Sequence, residues 1–352
     1  MKRFCRLIVS GCLSFLIISM FSCSEEIDLY PDNYEGQLFV WACLDGTGGV
    51  QQVKIRKAIM GEANVFDLLD DPASYLPDDS LKVYLVQEGG MPIYLEPVVY
   101  PPQTGAFAED SNVIYETPHY YPWPGEKHKL VITNLETGLI TSSEIITVTK
   151  PSFSYPVIGS AQDKFFFTLS NRPFHISWKG NKVSLWSISL KYLDILQTGD
   201  TLFRKATYTG ALTLGYPENN GEFHYSREFP LAYLWRIFNM LIQEDPDVHY
   251  RMFYRFDFCI WGGDKNLGNY LETAQRFDDN RKQYFSNITN GAGLFYSMNH
   301  TLLKNVCPKD DFATVLHRSD SVKHLKFSNF IFYGYYIDPD SVGSNPLIPV
   351  DL

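Results

Sequence analysis

QLFVWACL, residues Gln37–Leu44, is an almost unbroken apolar run that ends at the glycine-rich segment Asp45–Gly49 (DGTGG). A run of this length bounded by a turn predicts a buried β-strand. In the residues that follow, Val53 and Ile55 alternate with basic side chains, which predicts the returning strand of a hairpin. The chain therefore enters its fold as β-structure.

Further strand candidates follow at short intervals, separated by Gly, Pro and Asp turns. They are Leu81–Gln87, Ile93–Tyr100, Lys129–Asn134 and Leu139–Val148. Six short strands in about 115 residues fit an antiparallel sandwich of immunoglobulin-like size. We therefore expect residues 36–150 to form an N-terminal immunoglobulin-like antiparallel sandwich.

Residues 151–352 predict a larger, β-rich second domain. Residues 152–159 (SFSYPVIG) resemble a connection, because they carry turn residues without alternation. Strand-like runs then occur at Phe174–Lys179, Trp186–Tyr192, Met252–Ile260 and Phe327–Ile337. Residues 230–244 carry apolar side chains at helical spacing and predict one amphipathic helix packed on the sheet of this domain.

The composition bounds the class of protein. Of the 352 residues, 45% are hydrophobic and 20% charged, which are globular values. The aromatic share of 15% favours strands over helices. The formal charge of −10 comes without a cluster of Lys and Arg, so we expect no nucleic acid partner.

The first 22 residues are typical of a secretory signal. Basic residues precede the apolar segment Leu13–Phe21 (LSFLIISMF), which is too short to span a bilayer, and Ser22 precedes Cys23. This arrangement predicts a bacterial lipoprotein: residues 1–22 are a signal peptide, and Cys23 is lipidated. Cleavage before Cys12 would leave too short an apolar core. An ordinary secreted protein and a membrane anchor are the alternatives.

Residues 23–35 are polar and aperiodic, as expected of a tether. Within them, Ser24, Glu25 and Glu26 resemble the acidic export signals of Bacteroidetes surface lipoproteins. We therefore expect an outer-membrane protein exposed at the cell surface, whose membrane contact is the lipid anchor alone.

Two segments resemble domain of unknown function 4249, a family of Bacteroidetes surface lipoproteins. They are Phe285–Phe295 (FSNITNGAGLF) and Gly125–Ile132 (GEKHKLVI), and the lipoprotein cysteine agrees with them. The resemblance implies association with a TonB-dependent outer-membrane receptor. It implies no catalytic residue.

Two aromatic segments are candidates for binding a glycan or a peptide. His119–Pro124 (HYYPWP) supplies Tyr120, Tyr121 and Trp123, and Trp261 precedes a second predicted loop, Gly262-Gly263-Asp264. Flat rings on a loop can stack on such ligands. The alternative is that the rings cap the edge of a core.

The segment from Asn287 to Gly293 (NITNGAG) could form a backbone-lined ligand loop that includes Asn287 and Asn290, or a turn that positions the next strand. A further acidic group, Asp67, Asp70, Asp71, Asp78 and Asp79, favours a solvated loop over a calcium site. We expect no bound metal and no cofactor. Pairing of Cys259 with Cys307 is left open.

Sequence signatures of common enzymes are missing: HExxH, GxSxG, a Walker A segment and a complete Rossmann fingerprint do not occur. The prediction is a non-catalytic surface lipoprotein, accessory to a TonB-dependent receptor in nutrient capture or docking. A structural or adhesive surface module is the alternative, followed by a surface hydrolase, whose paired carboxylates would leave no local motif.

Overall fold

The computed structural model describes residues 37–57, 80–101, 112–156, 174–218, 221–275, 285–306 and 311–331, with two short strands nearer the C-terminus. The predicted signal peptide and tether lie outside these residues. The described chain is mainly β and contains one large mixed sheet.

The strands follow one another along most of the chain. In order they are β1 (Leu38–Asp45), β2 (Gln52–Lys57), β3 (Leu81–Gln87), β4 (Ile93–Tyr100), β5 (Asn112–Glu116), β6 (Lys127–Asn134), β7 (Ile140–Ile146), β8 (Ser152–Tyr155), β9 (Phe174–Gly180), β10 (Val183–Leu196), β11 (Thr201–Thr209), β12 (Thr213–Leu214), β13 (Phe223–Phe229), β14 (Val248–Gly263), β15 (Gly291–Val306), β16 (Phe327–Ile331), β17 (Tyr336–Ile337) and β18 (Leu347–Ile348). The predicted connection at residues 152–159 was wrong over its first half, because β8 pairs there with β9.

Three α-helices occur in the described residues: α1 (Leu231–Leu241), α2 (Lys265–Gln275) and α3 (Asp311–Arg318). The amphipathic stripe correctly predicted α1. The prediction of a single helix was wrong, because α2 and α3 also form. α2 has 11 residues, as α1 has, but carries far fewer apolar side chains, and α3 has only 8 residues, so neither shows a long apolar period in the sequence.

The large sheet has 13 strands, and its path runs β11-β10-β14-β15-β1-β2-β5-β4-β3-β6-β7. Beside this path, β12 pairs with β10 and β16 pairs with β14. A separate sheet has the order β13-β9-β8. Strand pairing therefore crosses the predicted domain boundary at Lys150, through β1 and β15.

β1 has a strand partner on each side. It pairs antiparallel with β2, where Cys43 lies opposite Gln52, as the hairpin pattern predicts. On its other side β1 pairs parallel with β15, from Leu38 opposite Gly291 to Asp45 opposite Met298. Its side chains alternate, since Val40 and Ala42 are buried and the residues between them are more exposed.

Gly293 is the point of closest approach between β1 and β15. Its φ is +116°, and an added Cβ would lie 1.9 Å from the carbonyl oxygen of Val40. Only glycine adopts this backbone conformation readily, and only a residue without a side chain leaves room for that oxygen.

The described residues form two large hydrophobic cores. The first contains apolar side chains from each of β1 to β7, together with Ile288 and Phe295. The second lies between the large sheet, the β13-β9-β8 sheet and the helices α1 and α3, and α1 contributes Leu234, Trp235 and Phe238. The division of the chain into domains at residues 36–150 and 151–352 stays a prediction.

Polar side chains are buried on β10 and β14. Lys191 Nζ lies 2.7 Å from Asp257 Oδ2, and Arg251 Nε lies 2.9 Å from Asp194 Oδ1, with all four side chains almost fully buried. Arg251 also donates to the carbonyl oxygen of Leu325, at 2.8 Å. Buried charges require such partners, because removing one leaves the other desolvated and unpaired.

We expect Gly293→Ala to lower the free energy of unfolding by about 3 kcal/mol, through backbone strain and the contact with Val40. Gly138→Ala is the matched control: its φ is +71°, and nothing lies within 4 Å of the added Cβ. That control should cost about 1 kcal/mol. Urea denaturation measures both, and equal losses would contradict the role assigned to the close approach.

Candidate functional site

The aromatic segment His119–Pro124 lies beside the turn that follows β1. Gly49 N donates to Tyr120 O at 3.1 Å, and Tyr120 N donates to Gly49 O at 2.9 Å. Gln51 Nε2 also donates to Tyr120 O, at 3.3 Å. These bonds fix the backbone of the aromatic segment against the β1–β2 hairpin.

The far end of the segment is held by Thr147. Its hydroxyl donates to the carbonyl oxygen of Trp123, and Gly125 N donates to Thr147 O at 2.8 Å. We call residues 119–126 the aromatic loop. Because main-chain bonds hold it at both ends, its rings start from an ordered backbone.

Tyr121 and Trp123 point outward from the aromatic loop. Tyr121 is 65% exposed and Trp123 is 70% exposed. Tyr121 stacks on His119, with 6.5 Å between ring centroids and 8° between planes. The two exposed aromatic side chains therefore offer apolar faces to solvent within three residues of each other.

Gly48 supports the ring of Tyr121. A Cβ on Gly48 would lie 1.9 Å from Cδ1 of that ring, so the ring lies directly against the Gly48 backbone. Sequence reasoning treated this glycine only as part of a turn. The DGTGG segment predicts a turn at this position, but it does not indicate which aromatic side chain packs against the turn.

Tyr120 differs from its neighbours because it packs against the first core. Its hydroxyl lies 2.7 Å from His128 Nε2, while His128 Nδ1 lies 3.2 Å from the carbonyl oxygen of Glu126. A carbonyl oxygen only accepts, so Nδ1 carries the proton and Nε2 accepts from Tyr120. Burial raises the pKa of Tyr120 and lowers the pKa of His128.

Asn287 and Asn290 use their side chains within the protein. Asn287 Nδ2 donates to Phe295 O at 2.7 Å and Phe295 N donates to Asn287 Oδ1 at 2.9 Å. Asn290 has a φ of +55° and donates through Nδ2 to Ile140 O, at 3.0 Å. Both side chains join the start of β15 to its surroundings.

Trp261 lies within β14, opposite Leu185 and His300, and it is half-buried. The predicted loop after it was wrong, since β14 continues to Gly263 and α2 follows Asp264. Asp264 caps α2: its Oδ1 accepts from Leu267 N at 2.9 Å. Burial raises the pKa of this carboxyl to about 6. Trp261 therefore lies on a strand, two strands away from β1, whose following turn holds the aromatic loop.

Cys23, Ser24, Glu25 and Glu26 lie outside the described residues, as does the acidic group from Asp67 to Asp79. Among the residues that are described, no group of three or more His, Cys, Asp or Glu side chains could hold a metal ion. None of the described helices has the length and apolar character needed to span a membrane. Cys259 is a free thiol, and Cys307 lies outside the described residues.

Comparison with protein-family models gives no match for the chain, and no curated protein matches it. The resemblance to domain of unknown function 4249 stays a prediction from the sequence.

The buried His128 predicts a pH dependence of stability. Its pKa in the folded protein lies below its ordinary value of 6.5, so below about pH 6.5 the unfolded chain binds more protons. His128 therefore lowers the free energy of unfolding as the pH decreases from about 6.5 to 5, whereas Asp264, whose pKa burial raises to about 6, acts in the opposite direction in both proteins. We expect the free energy of unfolding of the unchanged protein, minus that of His128→Gln, to fall across this range. Urea denaturation across this range measures the slope.

His249→Gln is the control for that measurement, because His249 is an exposed side chain. It should keep the slope of the unchanged protein. If His128→Gln and His249→Gln gave the same slope, burial of His128 would not be its cause.

Proposed function

We propose that this chain is a non-catalytic lipoprotein of the outer membrane, exposed at the cell surface and accessory to a TonB-dependent receptor. In this role it captures a glycan or a peptide, or docks on the receptor. The observation that carries capture is the pair of exposed rings, Tyr121 and Trp123, on the hydrogen-bonded aromatic loop. The lipoprotein signal and the sequence resemblance support the location and the partner.

Aromatic rings suit this role for a physical reason. A Trp or Tyr side chain offers a large contact area and loses little rotamer freedom on binding, so such residues dominate many interfaces. A loop whose backbone is already bonded needs less ordering when a ligand arrives. Tyr120 anchors the same loop, because its side chain packs against the first core.

We also propose that residues 36–150 form an immunoglobulin-like sandwich that presents the aromatic loop. In support, β1, β2 and β5 are hydrogen-bonded neighbours, as are β3, β6 and β7 through β6. Both sets bury apolar side chains in the first core. β4 joins them, because it pairs with β5 and with β3.

Screening the purified full-length chain against glycan and peptide arrays tests the capture role. We expect saturable binding to at least one class, weakened about tenfold or more in Trp123→Ala, because an exposed ring at the centre of a contact contributes that much. Unchanged affinity in the variant would refute the assignment. Turnover of a ligand would indicate the surface hydrolase instead, and no binding would favour the structural or adhesive module.

Two glycine variants separate ring position from backbone strain in that assay. Gly48 and Gly49 have φ values of +88° and +107°, but only the Cβ at Gly48 meets Tyr121, and nothing lies within 4 Å of the Cβ at Gly49. We therefore expect Gly48→Ala to weaken binding more than Gly49→Ala. Equal effects would indicate that the position of the Tyr121 ring is unimportant.

Cys23→Ser tests the location. Loss of the acceptor thiol removes the lipid, whose acyl chains supply the membrane affinity, so the variant should leave the membrane fraction. Immunoblotting of fractionated cells measures this, with Cys12→Ser as the control that stays membrane-bound. Pull-down of the unchanged protein from native membranes should recover a receptor, and recovery of the protein alone would count against the accessory role.

A further inference from the structure

A surface cavity of about 560 Å³ opens beside the C-terminal end of α3, and its lining contains no residue of the aromatic loop. Its lining includes Tyr250, Arg318, Lys323, Lys326, Ser328 and Asn329. No carboxylate lines it among the described residues. Arg318, Lys323 and Lys326 thus place three basic side chains around one concavity in a chain with a net charge of −10.

Arg318 and Lys323 are exposed, and within the part of the chain that the structure describes neither forms an ion pair or a side-chain hydrogen bond. Their charges are therefore available to a ligand. An exposed cation without a partner costs little by itself, so this observation alone would be ordinary. Lys326, the third cation, differs because hydrogen bonds hold its ammonium group in place.

Lys326 is held in a strained backbone conformation. Its φ is +58°, in the left-handed region that a residue with a side chain rarely adopts. Its ammonium group donates to Asp245 O at 3.1 Å and to Val248 O at 2.6 Å. These acceptors are neutral carbonyl oxygens, so the positive charge is fixed in place without being neutralised.

His317 is also oriented at this cavity. Its Nδ1 lies 2.7 Å from the carbonyl oxygen of Phe327, so Nδ1 carries the proton and Nε2 is the nitrogen left for another partner. The ring orientation is thereby determined by the main chain of β16. Ser328 and Asn329, which follow Phe327 on β16, add a hydroxyl and an amide to the lining.

Stabilisation of α3 does not account for this arrangement. His317 and Arg318 lie in the last turn of α3, where positive charge interacts favourably with the helix dipole. Lys323 and Lys326 lie beyond that helix, and a Gly at position 326 would meet the backbone requirement without strain. The helix dipole accounts for Arg318 and the two carbonyl contacts account for Lys326, whereas no contact among the described residues accounts for Lys323 or for the meeting of all three cations at one cavity.

We propose that this cavity binds an oxyanion, specifically a phosphate monoester carried by a small organic molecule. Arg318 and Lys323 contact its oxygens, and Lys326 supplies a fixed positive charge. The exposed ring of Tyr250, on β14, lines the cavity for the organic part. The proposal does not depend on capture by the aromatic loop, which uses other residues.

Isothermal titration calorimetry on the detergent-solubilised full-length chain tests the proposal with two probes, glucose 6-phosphate and dihexanoyl phosphatidic acid. The phosphate monoester is common to both, so the tighter probe identifies a sugar or a lipid as the source. We expect saturable binding that falls about tenfold or more in Arg318→Gln/Lys323→Gln, because charge-assisted hydrogen bonds are lost. Added salt should weaken binding as well.

Lys265→Gln/Lys304→Gln is the matched control, since it removes the same charge from two exposed lysines outside the cavity. It should bind as the unchanged protein does. Absence of saturable binding to both probes, or equal weakening in the two double variants, would overturn the proposal. Trp123→Ala should leave phosphate binding unchanged, so failure at this cavity and failure at the aromatic loop are distinguishable.

Discussion

The parallel pairing of β1 with β15 is the constraint on which the rest of the structure depends. It joins residues about 250 positions apart, from Leu38 opposite Gly291 onward, and it makes one sheet of strands that border two separate cores. Closing so long a loop costs entropy before any contact repays it. Gly293 lowers the cost of the final approach, because its missing side chain admits the Val40 carbonyl oxygen.

The position of the exposed rings follows from that pairing by a short chain of contacts. β1 ends at Asp45, whose Oδ1 accepts from Thr47 N at 2.8 Å and so shapes the turn. This turn places Gly48 against the ring of Tyr121, and it places Gly49 where its main chain hydrogen-bonds to that of Tyr120. A ligand surface on a loop is only as ordered as its supports, and here the supports are the turn that follows β1 and Thr147, which follows β7.

Local pattern was sufficient for much of the fold, as β3 and β4 have the predicted bounds and α1 lies within the predicted helix. Local pattern did not predict which strands pair, because nothing in β1 indicates that its second neighbour is β15 rather than another apolar strand. The site shows the same limit. Tyr120 and Trp123 look alike in HYYPWP, yet Tyr120 packs on the first core and Trp123 is 70% exposed. Their difference arises from tertiary contacts, which periodicity does not encode.

Charge placement separates structural cations from those that remain for recognition. Burying a cation removes its hydration, so Lys191 and Arg251 each lie against a carboxylate, at 2.7 and 2.9 Å. Their charges are neutralised locally, and each pair joins β10 to β14. Arg318 and Lys323 are exposed and meet no carboxylate among the described residues, so no neighbouring carboxylate competes with an approaching anion for them. In an acidic chain, attraction of an anion requires cations that converge within a Debye length, about 8 Å, because beyond that distance salt screens them.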